Sequence, residues 1–140
     1  MSRRAGPPVS DQTAGGRPAM EEVVRRGVAL YNAGRFWEAH EAVEIVWRQS
    51  APPERSLWQG LIQAAAAMLH RERGNRHGLQ AQGRAAVQRL GVGAPAGFPV
   101  ETARFVRRLA RCVEEGGPIP PMECLTGPAA RRAGPSTKDA

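Results

Sequence analysis

The chain has 140 residues, 41% of them hydrophobic and 24% charged, enough to bury the core of one domain. No stretch approaches the roughly eighteen uncharged apolar residues of a membrane helix. The net charge of +7 spreads along the chain: between positions 19 and 117, fourteen Arg stand against ten Asp and Glu. The strongest local patch is Arg104, Arg107, Arg108 and Arg111, spaced for one helix face. Without interleaved aromatics it reads as a solvated face and argues against a nucleic-acid partner.

Two ends differ from the middle. Residues 1–18 and 118–140 are rich in Pro and Gly and have no apolar period, so both are expected to be disordered tails around a helical domain at 19–117. The N-terminus has an Arg pair but no apolar signal region. Cys112 and Cys124 form no CxxC pair and read as free thiols, so the expected location is the cytoplasm.

Pro18, Glu21 and Glu22 signal a first helix from about Ala19 to Ala33, closed by Gly34 as a left-handed stop that starts a helical hairpin. The second helix covers about Phe36 to Gln49. On its wheel Phe36, Ala39, Val43, Val46 and Trp47 share one face, with Glu38, Glu41 and Arg48 turned away. His40 and Glu44 stand one turn apart on the flank of this apolar stripe.

A break at Ser50 to Pro53 precedes a third helix, from about Pro53 to Arg73, which is apolar almost all round and therefore central. Its polar stripe is Gln59, Gln63 and His70. Such a stripe on a buried helix needs partners, and His40 with Glu44 is the nearest supply across the connection, which predicts one polar cluster between helices two and three. A fourth helix spans Arg76 to Leu90, weakened by Gly78 and Gly83, with His77 on the surface. A loop runs from Gly91 to Pro99, and a fifth helix from Val100 to Glu115. The expected fold is thus an all-α compact bundle of about five helices built on two helical hairpins.

Several chemistries use these residue types. His40, Glu41 and Glu44 approach the HExxH helix of zinc peptidases, but the second histidine is absent. Glu44 in its place with His70 would give a three-ligand divalent metal site. His40 with Glu44 is also a candidate general-base pair, with Glu41, Trp47, Gln59, Gln63 and His70 lining a small-ligand pocket. The commoner arrangement is a buried histidine bonded to glutamate for structure alone. The cadence LYNAGRFWEAHEAV resembles a tetratricopeptide hairpin, with a degenerate echo forty residues later in LHRERGNRHGLQA, so a protein-interaction module remains open. The partner is expected to be a small ligand or another protein, with a homo-oligomer left open and no membrane.

The segment Gly34-Arg35-Phe36-Trp37-Glu38-Ala39-His40-Glu41 with Glu44 and Trp47, then Gln59-Gly60-Leu61-Ile62-Gln63 with Ala65, Ala66 and His70, then Gly74-Asn75, resembles the DUF309 family of small helical proteins. The resemblance covers about Val28 to Leu90. It implies an all-α bundle of unassigned biochemical function, and it carries over to His40, Glu41, Glu44, Trp47, Gln59, Gly60, Gln63, His70 and Asn75. Arg35 stands where the family usually has an acidic residue, and Gly78-Leu79 replaces its later Gly-Ala pair.

Overall fold

The computed structural model describes residues 16–125, with side chains described from residue 20. Positions 1–15 and 126–140, most of the two predicted tails, lie outside the described residues. Within them the chain forms α1 (Gly16–Asn32), α2 (Phe36–Arg48), α3 (Glu54–Glu72), α4 (Arg76–Leu90) and α5 (Ala103–Glu115). The all-α bundle expected from the apolar periods is the fold observed. No helix among the described residues is long and apolar enough to cross a membrane.

The helix ends follow local chemistry. Pro18 lies in the first turn of α1, where its missing N–H costs no helical bond, so the helix begins at Gly16, upstream of the expected Ala19. Both hairpin turns close with the same bonds. Gly34 N donates to Tyr31 O and Arg35 N to Leu30 O, each at 2.9 Å, and forty residues on Gly74 N donates to Arg71 O at 3.1 Å and Asn75 N to His70 O at 2.8 Å. The glycines carry φ of 82° and 72°, which side-chain-bearing residues rarely adopt. α5 starts at Ala103, later than the expected Val100. The carboxylate of Glu101 accepts from Arg104 N at 2.8 Å and Phe105 N at 3.2 Å, and Val100 is instead bridged to Cys124.

α3 is the central helix, packed on α2 and α4, with α4 in turn on α5 and α1 on α2. Small residues set these approaches. A Cβ on Gly60 would fall 2.9 Å from Leu90 Cγ, and one on Gly83 would collide with Val113, so the fourth helix sits closer to its neighbours than alanine would allow. Tyr31 meets Phe36 and Phe105 edge-on, with ring centroids 5.3 and 5.9 Å apart, and Trp58 packs on Phe98 from the predicted loop at 4.6 Å.

The predicted tail from residue 118 requires a correction, because residues 118–125 form an ordered strap across the bundle. Pro120 and Met122 are buried and Cys124 is half-buried, while Pro121, Glu123 and Leu125 are exposed, the alternation of an extended chain on a core. Asn32 Nδ2 donates to Met122 O and Asn32 Oδ1 accepts from Met122 N, both at 2.9 Å, and Tyr31 OH donates to Pro120 O at 2.8 Å. Arg71 Nη1 donates to Gly117 O at 2.8 Å and to Cys112 Sγ at 2.9 Å, tying α3, α5 and the strap together. Both cysteines are free, as expected. Burial holds the Tyr31 phenol far above its ordinary value, with Cys112 adding to the rise and Arg71 opposing it. Burial also raises the Cys124 thiol, against a smaller opposing effect of Arg25.

Candidate functional site

Trp37, His40, Glu44 and Trp47 recur at spacings of three and four along α2, just beside the buried stripe of Phe36, Ala39, Val43 and Val46. Two flat stacks mark the ends of this flank. The Trp37 and His40 rings lie 5.3 Å apart and within 7° of parallel. At the other end the Arg55 guanidinium sits 4.0 Å from the centre of the Trp47 ring, while its Nη1 donates to Trp47 O at 3.1 Å and Ser50 O at 3.3 Å. Arg55 thereby closes the open end of α2 onto the start of α3.

Between the stacks the polar groups are incompletely paired. His40 Nδ1, Trp47 Nε1 and Gln63 Oε1 are buried, and no protein group bonds to any of them. A donor or acceptor withdrawn from water without a partner costs about 1–3 kcal/mol, so a bound group that paired with any of these atoms would add stability. α2 and α3 run antiparallel, with Trp47 beside Arg55. Counting back seven residues to His40 and on eight to Gln63, at about 1.5 Å each, places those two side chains at similar heights along the seam. Gln59 is half-buried one turn before Gln63.

Not all of the predicted cluster is brought here. Glu44 turns its carboxylate to Arg48, 3.6 Å away, rather than to His40. Glu41 is exposed. Both line an outer groove of about 420 Å³ with Arg26, Glu38, Ile45 and Arg48, so the predicted pocket does not hold them on its α3 side. Arg35, in the place of the family's acidic residue, pairs with Glu38 at 2.8 Å and holds that carboxyl below its ordinary value. His70 belongs to the next hairpin: its Nδ1 is 3.1 Å from Asn75 Nδ2, and its ring lies where a Cβ on Gly78 would be. Asn75 Oδ1 also caps α4 by accepting from Gly78 N at 2.9 Å. Gly78, the glycine of the family's Gly-Ala pair, thus has a use here, since it makes room for the imidazole.

The metal set of His40, Glu44 and His70 is therefore not assembled, and among the described residues no group of three or more His, Cys, Asp or Glu stands close enough to hold an ion. The general-base pair is also unformed, because His40 Nδ1 has no partner and Glu44 faces a guanidinium. Each change has one cause: a wheel fixes the angle of a residue about its own axis but not which neighbour its side chain turns towards.

Two residues of the seam were missed by the sequence reading. Trp37 is 52% exposed, not part of the core, and the signal was its wheel sector, shared with Glu41 and Arg48. Arg55 was not singled out; its signal was an arginine in the first turn of a helix that follows a tryptophan-bearing one across a tight break.

Among known families, residues 24–81 match one described as Domain of unknown function (DUF309), a span that holds α2, α3, both hairpin turns and every residue of the seam. No curated protein matches the chain.

Proposed function

Because the chain belongs to the DUF309 family through residues 24–81, and that family's description supplies no activity, we propose from the geometry that it is a cytoplasmic ligand-binding domain whose site is the α2–α3 seam. The observation that carries this reading is the trio of buried, unpartnered atoms on His40, Trp47 and Gln63. Trp47 Nε1 is a donor, Gln63 Oε1 an acceptor, and His40 Nδ1 either, according to tautomer. A ligand that satisfies them is flat and carries donors and acceptors along its length, as a nucleobase or an aromatic carboxamide does. Trp37 supplies the entrance: it lies on the surface and covers His40, and an exposed ring changes rotamer in nanoseconds or less. The ligand takes the place of the Trp37 ring on the imidazole.

The test uses nicotinamide and adenine as probes against ¹⁵N-labelled protein, with the Trp47 indole resonance assigned by loss in Trp47→Phe. A saturable shift of that resonance, absent in Gln63→Leu, supports the site. No shift with either probe at millimolar concentration, in protein whose Gln63→Leu variant is folded, overturns it. The seam then serves only to fix how α2 packs on α3.

A further inference from the structure

The arginine face of α5 borders a groove that the seam does not explain. Arg104, Arg107, Arg108 and Arg111 lie on the outer side of α5 while Phe105, Leu109, Cys112 and Val113 are buried. Arg104 is paired with Glu123 of the strap at 3.4 Å, but no carboxylate among the described residues comes within 4.0 Å of Arg107, Arg108 or Arg111. Arg107 bonds back to Ala103 O at 3.2 Å. Arg108 and Arg111 instead form one wall of a groove of about 340 Å³, whose other wall is Pro118, Ile119, Pro120 and Pro121. Ile119 is 41% exposed there.

The groove is pre-formed. Its proline wall is anchored on both sides of Ile119, by Arg71 at Gly117 O and by Tyr31 at Pro120 O, and again beyond it by the paired bonds of Asn32 with Met122. An anchored wall spares a partner the entropy of ordering it. Three of its four residues are prolines with no N–H, so strand addition along it is blocked, and recognition falls to side chains. Those side chains are two guanidiniums, which take carboxylates in bidentate fashion, and one branched aliphatic. No aromatic ring lines the groove to stack a nucleobase, which separates it from single-stranded nucleic-acid sites.

We propose that the groove between Arg108 and Arg111 of α5 and the Pro118–Pro121 wall docks an acidic segment of a partner protein, carboxylates on the two arginines and an apolar side chain against Ile119.

Fluorescence anisotropy tests this with a short labelled peptide of repeating Glu-Leu-Glu pattern, the same peptide with Gln for Glu, and single-stranded oligothymidylate. The acidic peptide is expected to bind saturably and more weakly as salt is raised. The double variant Arg108→Ala with Arg111→Ala should weaken it by about tenfold or more, and Ile119→Ser by several-fold, with melting unchanged because all three side chains are on the surface. Arg84→Ala, on α4, should leave it unaltered. Equal binding of the Gln peptide, no binding of the acidic one, or tighter binding of oligothymidylate without an effect of Ile119→Ser overturns the proposal.

Discussion

Replacing Gln63 with leucine tests the seam most directly, since it removes an unpartnered acceptor and keeps a side chain of similar bulk at the same place on α3. Gln63 Oε1 is buried without a protein partner, and an amide oxygen in that state costs about 1–3 kcal/mol. Leucine removes the penalty but inherits a half-buried position, so part of it is recovered: about 1 kcal/mol of added stability, or about 4–8 °C in Tm for a domain of this size. Urea unfolding followed by tryptophan fluorescence should show the midpoint rising with the slope unchanged. Added nicotinamide or adenine, whichever shifts the Trp47 indole, should raise the midpoint of the natural protein but not that of the variant. A loss of about 1 kcal/mol or more in Gln63→Leu would refute the reasoning, because it would mean that the oxygen is already satisfied in solution, as by a held water.

Three further outcomes follow from the packing. The Tyr31 phenol is held above its ordinary value of 10.0 by burial, so it favours the folded state fully below pH 10.0. That contribution is lost as the pH climbs further, by up to about 1.4 kcal/mol per pH unit. Tyr31→Phe should flatten the alkaline fall in urea midpoints, while costing about 0.5–1.5 kcal/mol near neutrality for the bond to Pro120 O. Asn32→Ala removes both bonds to Met122 and should cost about 1–2 kcal/mol. It should also speed labelling of Cys124 by a thiol reagent, because loosening the strap relieves the burial that raises that thiol; an unchanged rate would show that Asn32 does not hold the strap. Gly83→Ala should destabilise by about 1–3 kcal/mol in thermal melts despite alanine's better helix propensity, since its Cβ meets the buried Val113.

The strap shows why some order escaped the sequence reading. Pro and Gly around residues 116–121 read as a tail because they cannot continue a helix, yet from Pro120 inward and outward residues alternate through Leu125. That period of two is short, interrupted by prolines and visible only against the helix ends it lies on. The seam shows the opposite case. His40 Nδ1 and Gln63 Oε1 are buried on the sides that their wheel positions give, whereas Glu44 and His70, equally well placed on their wheels, turn to Arg48 and Asn75.

The five helices, the glycine turns and the apolar faces of the helices follow from the local pattern of the chain, because helix period and left-handed stops are local properties. Packing across the bundle settled that residues 118–125 close over α1 and α5, and which polar atoms stay without partners. Those outcomes depend on the neighbour each side chain meets across an interface, and no repeat within one helix encodes that neighbour.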